Sequence, residues 1–229
     1  MSVYILIPSF NPDDKLLNLI EELNKNQFNI VLVNDGSSDH ESKYIFQTIS
    51  ERFPNVLFLK HFINKGKGEA IKTGIKYINE TYFDHPSVLT IDGDGQHTVS
   101  DILNIVSKME SHPKQFYLGV RNFSKKTPWK SAVGNRFTTF ILKLIFKVSI
   151  SDSQSGLRGI PNCLLLKMLT INGSRFEYET SVIIYLIKNR ININCIPIQT
   201  VYFDKNIRTN FRAFSDSVSI LKVIINNIF

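Results

Sequence analysis

Apolar positions in the first 120 residues follow two alternating periods. Short contiguous runs, Val3–Ile7, Ile30–Val33, Val56–Leu59, Ser87–Ile91 and Phe116–Val120, have the length and β-branched content of buried strands. Between them, apolar residues recur at three- and four-residue spacing. Leu16, Leu19, Ile20 and Leu23 predict a helix over Asp14–Lys25. Tyr44, Ile45, Phe46 and Ile49 predict a second, capped by Ser38 or Asp39. Lys67–Asn79 and Val99–Met109 read as a third and a fourth, with Ser100 as an alternative cap of the last. Strands alternating with helices imply βαβ units, hence a mostly parallel, Rossmann-like α/β sheet with helices on both faces. Such sheets bind ligands beyond the carboxyl ends of their strands. Pro8, Asp35 and Asp92 fall at those ends.

The second half is less regular. Ser131–Val148 reads as a long amphipathic helix, and 151–156 as a polar loop. Leu164–Leu169 and Tyr178–Lys188 read as helices, and Ile191–Tyr202 as β-like but broken by Pro197. Asp216–Phe229 reads as a final amphipathic helix. With 229 residues and no repeat, linker or low-complexity tract, one domain is expected over 1–229.

Composition narrows the class. At 43% hydrophobic and 21% charged, the chain can bury a core, which excludes disorder as a whole. Two cysteines, Cys163 and Cys195, cannot build a disulfide framework or a cysteine zinc site, and a reduced cytoplasmic compartment is expected. No stretch reaches the ~18 uncharged apolar residues of a spanning helix. The apolar start lacks a basic flank and runs into Pro8, unlike a signal peptide. The net charge of +7 is unevenly placed. No acidic residue lies between Glu110 and Asp152, whereas Lys114, Arg121, Lys125, Lys126, Lys130, Arg136, Lys143 and Lys147 do. That window suits an anion: phosphate, anionic lipid or nucleic acid.

The sharpest chemical signal is Asp92-Gly93-Asp94-Gly95-Gln96-His97. Two carboxylates one residue apart, just past a buried strand, can reach one hard cation such as Mg²⁺ or Mn²⁺, with water and diphosphate oxygens filling the remaining positions. Gln96 could add a neutral oxygen, and His97 is a weaker ligand candidate. A calcium EF-hand loop would need Glu where Leu103 stands. An aspartyl-nucleophile phosphatase usually carries D-x-D-G after its first strand, whereas here it follows the fourth. Asn34-Asp35-Gly36-Ser37-Ser38-Asp39 could place Asp35 against a base or ribose, or serve only as a turn and helix cap. Asn64-Lys65-Gly66-Lys67-Gly68 precedes a helix and could touch phosphate, although it is not a Walker loop. Arg121, Arg136 and Arg158 carry guanidinium forks that suit phosphate oxygens.

In order, these motifs resemble the family 2 glycosyltransferases of the GT-A fold, nearest the dolichyl- and polyprenyl-phosphate sugar synthases. The resemblance rests on Ile7-Pro8-Ser9-Phe10-Asn11, the Asp35, Lys67 and Asp92 segments above, Gly119-Val120-Arg121, Gly134-Asn135-Arg136-Phe137, Asp152-Ser153-Gln154-Ser155-Gly156 and Phe176-Glu177-Tyr178-Glu179. It implies a nucleotide- and metal-binding half over 1–120 and an acceptor-binding half over 121–229. Pro8, Phe10, Asn11, Asp35, Lys67, Asp92, Gly93 and Arg208 would contact the nucleotide. Asp92, Asp94 and Gln96 would bind the metal. Arg121 and Arg136 would hold acceptor phosphate or donor diphosphate, Gln154 would sit near the transferred sugar, and Glu177 and Glu179 would lie behind it. Asp152 would be the base if the acceptor is a sugar hydroxyl. Pro12 replaces an acidic residue often found there, and the segment around Arg208 matches only loosely.

The implied activity is metal-dependent, inverting transfer from a nucleoside-diphosphate sugar, UDP favoured over GDP, to a polyprenyl phosphate at the inner membrane face. The alternative acceptor is a saccharide hydroxyl of a capsule or cell-wall polymer. The helix at Phe137–Val148 carries Phe137, Phe140, Ile141, Leu144, Ile145 and Val148 on one face, with Lys143 and Lys147 to meet anionic headgroups; core packing is the competing expectation. Relatives often carry membrane helices after this domain. The helix Val218–Phe229 is the candidate face for a homo-oligomer. A nucleic-acid module would leave the D-x-D turn unexplained, and a nucleotidyltransferase would need a Gly-rich loop where Ser9-Phe10-Asn11-Pro12 stands.

Overall fold

The computed structural model describes residues 2–121, 129–148, 150–199, 201 and 212–227, with the side chains of 129–134, 136, 137, 213 and 214 left aside. In chain order the elements are β1 (Val3–Ser9), α1 (Asp14–Lys25), β2 (Asn29–Asp35), α2 (His40–Arg52), β3 (Leu57–His61), α3 (Lys67–Thr81), β4 (Ser87–Thr90), α4 (Val99–Ser111) and β5 (Phe116–Arg121). They continue with α5 (Trp129–Phe146), β6 (Arg158–Ile160), α6 (Asn162–Thr170), α7 (Glu177–Lys188), β7 (Ile193–Ile198) and α8 (Ala213–Asn226).

All five strands expected in the first half form, and they join β6 and β7 in one sheet of order β3-β2-β1-β4-β6-β5-β7. β1 pairs in parallel with both β2 and β4, so the strand order reverses at β1 and opens a crevice beyond its carboxyl end. β6 runs antiparallel to β4 and β5, with Arg158 opposite Thr90 and Leu118. This reversal brings the loop before β6 to the carboxyl ends of β4 and β5. Pro197 is tolerated because β7 is an edge strand that pairs only with β5 among the described residues.

One face of the sheet is covered by α1, α2 and α4, whose Leu16, Ile20, Ile45, Ile49, Ile102 and Ile105 are buried with Ile5 and Leu32. The other is covered by α3, α6, α7 and α8, with Ile75, Met168, Ile183 and Ile224 buried around Leu6, Val31 and Phe116. Asp39 caps α2, accepting from the Ser42 amide. Thr98, and not Ser100, caps α4, because its side chain sits one residue before the first helical turn and accepts from the Asp101 amide.

The α5 face divides. Leu142 is buried, and Ile141, Ile145 and Val148 pack against the core, whereas Phe140 and Leu144 are 63% and 69% exposed. On α8, Ile220 and Ile224 are buried while Leu221 and Ile225 face outward, and α5 packs against α8. Core packing and an exposed apolar strip therefore coexist on these two helices. Among the described residues, no helix is long and apolar enough to cross a membrane.

Candidate active site

The loops after β1, β2 and β4 converge at the crevice. Pro8 and Ser9 end β1, paired with Val33 and Asn34. Asn11 follows with φ 48°, its amide donating to the Ser37 hydroxyl at 2.9 Å, and its buried Oδ1 has no hydrogen-bond partner among the described residues. Phe10 is half-buried beside it. Asp35 is turned inward. Its carboxylate accepts from the amides of Lys65 (2.9 Å) and Gly66 (2.8 Å) and contacts His61 Nδ1 at 2.7 Å, while His61 Nε2 meets the Thr73 hydroxyl at 2.9 Å. Asp35 therefore anchors the loop that starts α3. Gly66 has φ 103°, and a Cβ there would collide with the Ser174 carbonyl. The start of α3 is thus fixed, and with it Lys67.

Lys67 Nζ lies 2.7 Å from Asp92 Oδ1 and 2.9 Å from Glu179 Oε1. Burial pushes its pKa down, but Asp92 and Glu179 outweigh burial and hold it above the ordinary lysine range. Burial raises the Asp92 pKa, yet Lys67 and then His97 hold it well below the usual carboxylate range. His97 Nε2 is 3.7 Å from Asp92 Oδ2, and neither ring nitrogen has a hydrogen-bond partner among the described residues. Gly156 packs against Asp92 so tightly that a Cβ there would clash with both carboxylate oxygens.

Asp94 stands at the rim. Partial desolvation and the charge of Asp92 raise its pKa. It forms no ion pair among the described residues; His97, the Gln96 amide donating at 3.0 Å, and Lys67 offset the rise only in part. Gly93 lies over Ile7, Ser9 and Leu16. Asp92, Asp94 and Gln96 therefore offer oxygen donors and surplus negative charge in one loop, which fits a hard divalent cation. No group of three His, Cys, Asp or Glu among the described residues could hold a metal ion by itself. A cation here would draw its remaining ligands from water or a bound phosphate.

On the other side of the crevice, Asp152 is fully buried. Arg121 grips it with Nε at 2.7 Å and Nη2 at 3.0 Å, and the amides of Arg121 and Gln154 donate to it at 3.1 Å. The backbone at Gln154 is thereby held against Asp152. Arg158, whose guanidinium suited either phosphate or an exposed surface, is instead 3% exposed and donates to the carbonyls of Ser153, Ser155 and Glu179. Its guanidinium braces the 153–155 loop because β6 places it inside the sheet. Arg136 belongs to α5, but its side chain, like Arg208, lies outside the described residues.

Sequence reasoning missed Asn135. Fully buried on α5, it donates to the Ser151 carbonyl at 3.3 Å and accepts from the Ser153 amide at 3.1 Å, fastening the loop from the opposite side. Its only signal was its place in Gly134-Asn135-Arg136.

A crevice at the strand-order reversal, with a carboxylate pair after β4, is the architecture of GT-A glycosyltransferases. The model of glycosyl transferase family 2 matches residues 4–165, and the chain belongs to that family. It is a glycosyltransferase. It is 31% identical, over 93% of both chains, to UDP-N-acetylglucosamine–dolichyl-phosphate N-acetylglucosaminyltransferase of Methanococcus voltae. It is 24% identical to dolichyl-phosphate beta-glucosyltransferase of Saccharomyces cerevisiae, over 85% of this chain and 65% of the yeast protein. Glucosyl-3-phosphoglycerate synthase from Mycobacterium tuberculosis, solved with Mn²⁺, UDP and phosphoglyceric acid, superposes with a TM-score of 0.72 at 12% identity, over 99% of this chain and 78% of that one.

Proposed function

We propose that this glycosyltransferase moves a sugar, with inversion, from a nucleoside-diphosphate sugar to a polyprenyl phosphate at a membrane surface. Residues 1–120 would form the donor half and 121–229 the acceptor half. The observation that carries this reading is the Asp92–Asp94 pair, charge-deficient by one cation and set beside Lys67 at the switch-point crevice. The Methanococcus relative is named for a UDP-sugar donor and a dolichyl-phosphate acceptor, which supports UDP and a lipid phosphate here. Mg²⁺ or Mn²⁺ would be held by Asp92, Asp94 and Gln96, and when bound it supplies positive charge to the departing diphosphate.

The chain's own residues would do the rest. Phe10, Asn11 and the β1–β2 loops would seat the base and ribose. Lys67 would donate to the diphosphate as charge accumulates on it. An acceptor phosphate oxygen would attack the anomeric carbon from the face opposite the diphosphate, forming one C–O bond as the other breaks. That nucleophile is already anionic and needs no base, which agrees with an Asp152 whose oxygens are all engaged. Gln154 would orient the sugar, and Arg121 and Arg136 would face the incoming phosphate. The exposed Phe140 and Leu144, flanked by the exposed Lys143 and Lys147, would rest on anionic headgroups.

The test is transfer of labelled sugar from UDP-N-acetylglucosamine, UDP-glucose and GDP-mannose to a polyprenyl phosphate, with Mn²⁺, Mg²⁺ or EDTA, and the anomeric configuration of the product read by NMR. Transfer from a UDP-sugar, lost in EDTA, with an inverted product is expected. Equal transfer in EDTA, or a retained configuration, would remove the mechanism.

A further inference from the structure

Lys67 is placed with unusual care for a residue at the first turn of a helix. Asp35 fastens the two amides before it, and Gly66 sits against Ser174, so α3 cannot start elsewhere. Its ammonium lies between Asp92 and Glu179, 5.6 Å from the Phe176 ring centroid. Glu179 is itself 4% exposed and stands 3.8 Å from Arg158, whose guanidinium is locked by three carbonyls. Charges thus alternate along one row that runs from the half-buried Asp92 and Lys67 to the buried Glu179 and Arg158.

We infer that Lys67 is an electrostatic gate on the metal site, occupying Asp92 until a nucleoside diphosphate arrives, so that cation and donor bind as a pair. The inference rests on the proposed metal role of Asp92 and Asp94. A divalent cation arriving alone must share Asp92 with an ammonium already on Oδ1, and two cations this close repel strongly in a half-buried site. A diphosphate would reverse the sign, because its negative charge would attract both the divalent cation and the Lys67 ammonium. Glu179 keeps the displaced ammonium at hand, since it contacts Lys67 independently of Asp92. Lys67 therefore weakens binding of the naked cation and strengthens binding of cation plus diphosphate, and the coupling is reciprocal.

The experiment is calorimetric titration of the full chain with Mn²⁺ alone and with Mn²⁺ in saturating UDP, with circular dichroism to establish folding. In the wild type, Mn²⁺ alone binds weakly and UDP tightens it. Lys67→Met is expected to bind Mn²⁺ alone about tenfold more tightly, from loss of the neighbouring positive charge, and to lose most of the UDP enhancement. Glu179→Gln should shift the opposite way, because it removes an anion and leaves Lys67 wholly to Asp92. Opposite shifts separate a gate from a structural role, which would weaken both variants alike. If Lys67→Met does not fold, Lys67→Gln and Glu179→Gln carry the test. Unchanged or weaker Mn²⁺ binding by the folded Lys67 variant overturns the gate while leaving the metal reading in place. Absence of Mn²⁺ binding by the wild type even with UDP overturns both.

Discussion

Asp92 and Asp152 both lie at the carboxyl end of the sheet, and both end on a long cationic side chain. Asp152 is fully buried, held through two bonds from Arg121, with two amides completing its acceptors. Asp92 is partly open, meets Lys67 through one oxygen, and leaves the other 3.7 Å from a histidine without a firm hydrogen bond. Its cation is shared with Glu179. A planar fork on a buried carboxylate is difficult to replace, because breaking it strands a charge. A single ammonium shared between two carboxylates can be exchanged for another cation. The difference is between a pair that holds the shape of the crevice and a pair whose cation can be exchanged.

The largest effect should come from removing the exchangeable side. Asp92→Ala and Asp94→Ala are each expected to reduce sugar transfer by about a thousandfold or more while leaving the circular dichroism spectrum intact. Near-normal transfer by either folded variant would break the distinction. Asp152→Asn should act mainly on stability, lowering the unfolding free energy by about 3 kcal/mol as one partner of a buried pair is neutralised. A urea melt reads this. Unchanged stability with abolished transfer would instead make Asp152 the base of a hydroxyl-accepting enzyme.

A smaller effect is expected from Gly156→Ala. A Cβ there would displace the Asp92 carboxylate, so Mn²⁺ affinity in the presence of UDP should fall by about tenfold, as for other residues that orient a metal ligand. The smallest concerns the far surface. Leu144→Glu should weaken binding to anionic vesicles by a few-fold, roughly the loss of one partly inserted side chain, without affecting UDP-dependent Mn²⁺ binding. Vesicle binding that persists unchanged would place the membrane contact elsewhere.

The sequence specified residues 1–120 closely. α1 spans the residues its apolar spacing marked, and Asp35 and Asp92 fall at strand ends as the runs before them required. Those signals are local: period-two and period-3.6 burial, turn glycines and caps are written in neighbouring residues. The same holds for Asp92, Asp94 and Gln96, which share one loop whatever the rest of the chain does. β6 gave no such signal, because three residues are too few to show a period. Only sheet pairing reversed it, and that reversal turned Arg158 inward to brace a loop, whereas its side-chain type alone suited a phosphate or an exposed surface. The pairing of Lys67 with Glu179, 112 positions later, and of Arg121 with Asp152 likewise depended on how the sheet brought distant segments together. Side-chain type and spacing set which chemistry was available; tertiary packing decided which charges were consumed in pairs and which remained to act, since that balance depends on distances the linear chain does not contain.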